Sequence, residues 1–372
     1  MGHPVPAARG QAAVLVLNAG SSSLKAALFS RDGDCLWREQ RSWCPDPHSG
    51  DGQGSGSMEQ VLDHWLPPAL AGQDSDLLLA AHRVVHGGER FTAPTRLDPD
   101  VLGVLEELVS LAPLHNGPAL RLMRWLIRWR PHLPQWACFD TAFHSTLPPE
   151  ASTYALPQAW REQGLRRFGF HGLSHQHVSE TVSHRCTGRE PAAAGPLRLI
   201  SCHLGAGCSL CAIRAGRSLA TTMGFTPLEG LVMATRSGSV DPGLLLHLLR
   251  QGLSPARLEQ SLQSESGLLG LSGLSGDMRE LRRAAEAGHD GATLALAVFR
   301  QSLLCGIGAM AACLGGVDVI ALTGGIGEHD DALLADLEDA LAWLRPFELL
   351  RIPADEEGVI ARSCLARMQA AP

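Results

Sequence analysis

Val14 to Phe29 reads VLVLNAGSSSLKAALF, two apolar runs around the small polar knot Asn18-Ala19-Gly20-Ser21-Ser22-Ser23, with Lys25 just beyond it. Gly/Ser turns let backbone N–H groups approach an anion closely; hydroxyls add donors and a lysine adds a point charge. This is phosphate chemistry, yet the spacing is not G-x-x-x-x-G-K-[ST], and the residues after the knot read as strand instead of helix. Taken alone, the knot is more simply a hairpin turn with a solvated lysine. Two further segments reverse that balance. HLGAGCSLCAI, His203 to Ile213, repeats the pattern of strand, small-residue knot and strand, and Thr323-Gly324-Gly325-Ile326-Gly327-Glu328 comes directly after the apolar run Val317–Leu322.

Charged and titratable residues stand in four other segments. HRVVHGGER puts Arg83 on an apolar strand, where a lone buried charge is costly and a carboxylate or phosphate partner is expected. His82 and His86 have the i, i+4 spacing of a helical metal pair, but they lie on a strand running into a Gly-Gly turn, so metal ligation is disfavoured. FDTAFH ends a strand on Asp140, a place for a base or an Mg²⁺-directed carboxylate, or equally for a cap on the next segment. RRFGFHGLSH contains His171, which alone reads as a satisfied core histidine. GFTPLEGLVMATRSGSVDP contains Arg236 among small polar residues, suited to oxyanion binding or to a plain surface role. Cys202, Cys208 and Cys211 include one C-x-x-C with no second pair at zinc-ribbon spacing, so core filling is the expectation.

The elements that position these residues are legible in outline. Val14–Leu17, Lys25–Phe29, Leu77–Val85, Trp136–Phe139, Leu197–His203 and Val317–Leu322 read as strands. Helices are expected over Val101–Leu111, from Asn116 as cap with Pro118 in the first turn, after Ser174 as cap, from Asp241-Pro242, from Ser254-Pro255, and over Ala292–Leu314. Residues 46–57, DPHSGDGQGSGS, read as a surface loop. Pro148, Pro149 and Pro157 mark a domain junction, and the two knots in two halves suggest paired domains.

The totals narrow the choices. At roughly 150 residues per domain, 372 residues suggest two domains. A net charge of −7 gives no basic footprint, so nucleic acid is not an expected partner, and an anionic ligand needs local positive charge. Ten irregularly spaced cysteines fit reduced thiols and a cytoplasmic location. The N-terminus shows no signal peptide or myristoylation pattern, and the uncharged stretch Gln301–Val317 is Gly-interrupted and short for a span, so it reads as a buried helix and no membrane role is expected.

In chain order, LNAGSSSLK, HRVVHGGE, APLHNGPA, FDTAFHSTLP, RRFGFHGLSH, HLGAGCS, TMGFTPLEGLVMATRSGSVDP, SGDMRE and LTGGIGE resemble the acetokinase family along nearly the whole chain. The resemblance implies an α/β fold of two ribonuclease-H-like (actin-like ATPase) domains around an ATP cleft. It implies a first domain over residues 1–147, completed by 330–372 packing back on it, and a nucleotide-binding domain over 148–329. It also implies a homodimer. Carried over by motif, Asn18, Ser21, Ser23 and Lys25 match the first phosphate hairpin, and His203, Gly205 and Gly207 the second. Asp277, Arg279, Gly324, Gly325 and Ile326 match the adenosine pocket. Asn18 and Glu328 match positions associated with Mg²⁺, with Mn²⁺ as an alternative ion. Arg83, Asp140, His171 and Arg236 match the catalytic cluster; Val85, Leu114, Phe170 and Pro227 match the acyl pocket. Ala206 and Cys208 depart from the usual G-N-G-S-S, and His329 stands where Asn is usual.

The implied reaction is ATP + acetate ⇌ ADP + acetyl phosphate. Its carboxylate nucleophile needs no strong base, so catalysis would rest on positioning and electrostatics. Arg83 and Arg236 would hold acetate and the transferring phosphoryl, His171 would donate a hydrogen bond to it, and Asp140 would orient Arg236 or the metal. The rivals are a propionate or butyrate kinase of the same family and a non-catalytic actin-like nucleotide-binding module.

Overall fold

The computed structural model describes residues 12–20, 22–44, 56–71, 77–186 and 195–370; the side chains of Ala12 and Leu114 are outside that set. Ser21 and most of the 46–57 loop also lie outside the described residues, although Ser57 is inside and caps the helix Met58–Ala69. The chain divides into two compact units, 1–142 with 355–372, and 143–354.

The first unit is built on strands β1 (Ala12–Ala19), β2 (Ser23–Ser30), β3 (Cys35–Ser42), β4 (Leu79–Val84), β5 (Thr95–Arg96) and β6 (Gln135–Phe139), in the sheet order β3-β2-β1-β4-β6-β5. β1 pairs antiparallel with β2 and parallel with β4, and β4 pairs parallel with β6. Residues 13–17 of β1 are buried without alternation, as a central strand covered on both faces requires. The helices Met58–Ala69 and Pro113–Trp129 share a core with β1 and β2 through Leu62, Leu66, Leu122 and Leu126. The C-terminal helix Glu356–Ala370 packs against β1, β4 and β6.

The second unit has strands β7 (Arg198–Leu204), β8 (Cys208–Arg214), β9 (Arg217–Thr221), β10 (Val319–Thr323) and β11 (Glu348–Arg351), ordered β11-β10-β7-β8-β9. Period-2 alternation along β8 sends neighbours to opposite faces. Cys211 joins Val178 and Val182 of the helix Gly172–Cys186, while Leu210 meets Gly306 of the long helix Asp290–Leu314. That long helix is apolar enough by length and composition to cross a membrane. Here Phe299, Leu303 and Ile307, spaced by four, face the core of the unit, and the helix packs on β7, β8 and β9.

Both sheets contain one motif: an antiparallel three-stranded meander (β1-β2-β3, β7-β8-β9) whose first strand is flanked by parallel strands (β4 and β6; β10 and β11). The echo between the two knots therefore reflects equivalent turns, β1 to β2 and β7 to β8.

The structure shifts three sequence-based expectations. Residues 330–354 belong to the second unit, because β11 pairs in parallel with β10; the part grouped with the first unit begins at Asp355. The first division falls at Ala142/Phe143, before the prolines. Asn116 and Ser174 are not caps. The helix around Asn116 starts at Pro113, and Ser174 is the third residue of its helix. Both side chains make tertiary hydrogen bonds instead, Asn116 to the His86 backbone and Ser174 to His203.

Candidate active-site residues

In the first unit the functional candidates gather at the C-terminal ends of parallel β1, β4 and β6, where open α/β sheets place ligands. Asn18, next to last in β1, is buried and pairs in register with the exposed Lys25. The knot between them is a tight turn closed by Gly20 N donating to Ser23 O at 2.8 Å, with Trp43 Nε1 donating to Gly20 O. Arg83 on β4 meets Asp140, just past β6, in a bidentate pair: Nε to Oδ1 at 3.0 Å and Nη2 to Oδ2 at 2.6 Å. A second carboxylate, Glu356 at the start of the C-terminal helix, lies 3.9 Å from Arg83 Nε.

Burial opposes the Arg83 charge, but Asp140 and then Glu356 outweigh it and raise its pKa. Burial lifts the Asp140 carboxyl above its ordinary value; Arg83 opposes this and Glu356 adds to it. Two carboxylates thus share one guanidinium. Asn116 bridges the backbone of His86, accepting from its N at 3.1 Å and donating to its O at 3.0 Å. This pins the stretch after β4, including half-buried Val85, to the helix that contains Leu114, whose side chain is outside the described residues. His82 donates through Nε2 to Gln135 Oε1, and His86 Nδ1 accepts from Gly88 N.

In the second unit, His171, His203 and Arg236 surround the β7–β8 turn. The rings of His171 and His203 are 4.2 Å apart. Gly207 is confined between two of these side chains: a Cβ there would lie 3.1 Å from His171 Nε2 and 3.6 Å from Arg236 Nη1. His171 itself has φ 56°, a left-handed conformation rare outside glycine and often found at functional sites. Ser174 Oγ and His203 Nδ1 are hydrogen-bonded at 2.8 Å. Arg236 Nη1 donates to Pro227 O at 3.4 Å. Pro227 sits on a braced loop: Tyr154, the single tyrosine of the chain, donates to Glu229 Oε2 at 2.5 Å and accepts from Phe225 N, and Arg167 Nη2 donates to Glu229 Oε1 at 2.6 Å.

Beside the same turn is a cavity of about 740 Å³, within the range of small-molecule sites. Gly205, Asp277, Arg279, Gly325 and Ile326 line it, together with the two departures Ala206 and His329. Asp277 caps the helix Met278–Glu286 and is held at about 2, chiefly by the Arg279 side chain, with burial opposing it and backbone amides adding to it. Gly324 opens this wall with φ 79°, and a Cβ there would meet Leu204 O at 2.7 Å.

Two candidates also brace the structure around them. Glu328 Oε1 accepts from Gly324 N at 3.1 Å and Ala354 N at 3.0 Å, so this oxygen braces backbone within the second unit, and Oε2 is the oxygen a metal would meet. Phe170 is fully buried, and its carbonyl accepts from His144 Nε2. Asp140, expected to orient Arg236 or the metal, also pairs with Arg83. Cys202, Cys208 and Cys211 are buried, and burial pushes the thiols of Cys208 and Cys211 up to about 12. Glu356 was not anticipated; its signal is an acidic pair, Glu356-Glu357, opening a helix just after a strand. Among the described residues no cluster of three or more His, Cys, Asp or Glu is built to hold a metal alone. Mg²⁺ seldom needs one, since one or two carboxylates plus substrate phosphates suffice. Asp140 and Glu356, with excess negative charge and hard oxygen donors, fit such an ion.

Comparison with known proteins agrees with this reading. The model of the "Acetokinase family" matches residues 50–363. An acetate kinase of Synechococcus sp. (strain JA-2-3B'a(2-13)) is 41% identical, covering 96% of this chain and 99% of its own. Among solved structures, Porphyromonas gingivalis acetate kinase superposes with a TM-score of 0.84 at 32% identity, covering 95% of this chain and 99% of its own. A propionate kinase from Francisella tularensis subsp. tularensis SCHU S4 has the same TM-score, 0.84, at 30% identity, covering 95% of this chain and 98% of its own. With the family model spanning most of the sequence and full-length relatives above the level at which fold and family are shared, the chain belongs to the acetokinase family.

Proposed function

We propose that the chain is an acetate kinase that moves the γ-phosphoryl of ATP to acetate, reversibly and by direct in-line transfer. The observation that carries the reading is the convergence of His171 Nε2 and Arg236 Nη1 on Gly207, beside a cavity of nucleotide size. A phosphoryl group in transfer spreads negative charge over its equatorial oxygens, and fixed donors favour that state over the ground state. Arg236 and His171 donate to those oxygens. Arg83, held flat by Asp140, presents its remaining N–H groups to the acetate carboxylate. The amides of both knots and Lys25 hold the phosphates, and Ser23 adds a hydroxyl. Asp277, Arg279 and the 324–326 turn hold the adenosine.

The divalent ion, Mg²⁺ or Mn²⁺, neutralises phosphate charge when bound, and Asp140, Glu356 and Asn18 are the side chains proposed to hold it. The first-unit and second-unit residues are proposed to serve one pair of substrates. Exposed Leu244 and Leu246 on the helix Pro242–Arg250 support a homodimer, checked by the mass in solution. The free cysteines support a cytoplasmic enzyme.

Val85 and the braced Pro227 favour the shortest acid. One methylene is worth only about 1–3 kcal/mol, so propionate is expected to be a poorer substrate without being excluded. The test is kcat/KM for acetate, propionate and butyrate. A steady fall with length supports the proposal; a maximum at propionate or butyrate moves the assignment to the second reading, which the Francisella structure also fits.

A further inference from the structure

Behind His171 is a buried chain of hydrogen bonds that the phosphoryl-transfer scheme leaves unused. His171 Nδ1 and Ser209 Oγ are 2.9 Å apart, Ser209 Oγ and His175 Nε2 are 2.9 Å apart, and His175 Nδ1 and Ser201 Oγ are 2.8 Å apart. Ser209, His175 and Ser201 are fully buried. Each link has one proton: a hydroxyl has one O–H, and a neutral imidazole has one N–H and one acceptor. Fixing the direction at one end therefore fixes every link. His175 is kept neutral by burial, with His144 and His203 adding to the effect.

We infer that Ser201, His175 and Ser209 are positioning residues that hold neutral His171 in the tautomer with its proton on Nε2. In that direction Ser201 donates to His175 Nδ1, His175 Nε2–H donates to Ser209, and Ser209 donates to His171 Nδ1. The Nε2 end, which lies at Gly207 with Arg236 Nη1 near the same residue, is then a donor without taking a proton from solvent. In the opposite direction a bare Nε2 lone pair would face the incoming phosphoryl and repel it. Among the described contacts around His171 are His203 on β7, Arg236 on the 224–242 loop, His175 on the helix that follows it and Ser209 on β8. Of these, Ser209 is the one bonded to Nδ1. The inference rests on His171 donating to the phosphoryl, as proposed above.

The consequence is a pH dependence specific to Ser209. Imidazolium has N–H on both nitrogens and needs no tautomer control, whereas the neutral ring does. The kcat of Ser209→Ala relative to wild type should fall as pH rises, on the order of 10-fold from the acid to the alkaline end of the working range, with KM for ATP little changed. A constant ratio across that range, or wild-type behaviour throughout, overturns the inference. Should Ser209→Ala fail to fold, two-bond ¹H–¹⁵N spectra of histidine-labelled wild-type protein decide: an unprotonated Nδ1 on neutral His171 supports it, and a protonated Nδ1 overturns it. His171→Gln separates this from the underlying reading. Wild-type turnover in that variant removes the catalytic role of His171, whereas a strong loss there beside a wild-type-like Ser209→Ala removes only the relay.

Discussion

Glu356 and Glu328 show how residue type and residue role separate. Both are glutamates near a strand end, and the family motif drew attention to Glu328. In the structure Glu328 holds two backbone amides, while Glu356 faces the Arg83–Asp140 pair. The oxygen donors proposed for the ion are therefore those that Arg83 leaves incompletely neutralised. Glu356→Gln is expected to raise the Mg²⁺ concentration for half-maximal rate by roughly 10-fold or more. Glu328→Gln should change it little, its cost appearing as lower thermal stability instead. A Mg²⁺ titration of the rate for both variants checks this, and the reverse order would return the metal role to Glu328. Arg83 was visible as a charge out of place on an apolar strand, whereas His171, Asp140 and Arg236 each had a plain structural reading as well and were singled out by the motifs around them. The Ser209–His175 relay and the Tyr154–Glu229–Arg167 brace were not visible, because hydroxyl and carboxylate partners far apart in sequence leave no spacing to read.

At the scale of elements, periodicity located the strands and most helices, since a strand buried on both faces and a long apolar helix announce themselves by composition. What it misassigned were helix starts. Asn116 and Ser174 have the right chemistry for caps, yet each is spent on a tertiary partner, the His86 backbone and His203 respectively. The boundary of the returning C-terminal segment was equally hidden, because the parallel pairing of β11 with β10 is set by the sheet and not by local pattern.

Elements also bury histidines with thermodynamic consequences. His82 on β4 and His144 are fully buried, and burial depresses each to about 4, against the weaker opposing effect of their hydrogen-bond partners. Both are neutral when folded and take up protons readily when unfolded. Their contribution is complete above about pH 6.5 and is lost as pH falls toward about 4. Over that window each would withdraw up to about 3 kcal/mol. Urea unfolding at pH 7.5 and at pH 5 should therefore show markedly lower stability at pH 5; equal stability at the two would contradict it.

For the whole molecule, the two units repeat one topology, and each contributes a turn between antiparallel strands with charged residues at the ends of neighbouring parallel strands. The first unit provides Arg83, Asp140 and Glu356; the second provides His171, His203, Arg236 and the cavity. The proposal assigns the acetate carboxylate to Arg83 of the first unit and the phosphoryl group to His171 of the second, so it is tested on the full chain. A nucleotide-binding module that only opened and closed would need neither Arg83 nor Arg236. The most direct measurement is trapping of acetyl phosphate as hydroxamate from the full chain with Mg-ATP and acetate. The account predicts steady product formation that needs acetate and nearly vanishes in Arg236→Ala while ATP affinity stays close to normal. ATP binding without acetyl phosphate, or an Arg236→Ala enzyme turning over at the wild-type rate, would contradict it.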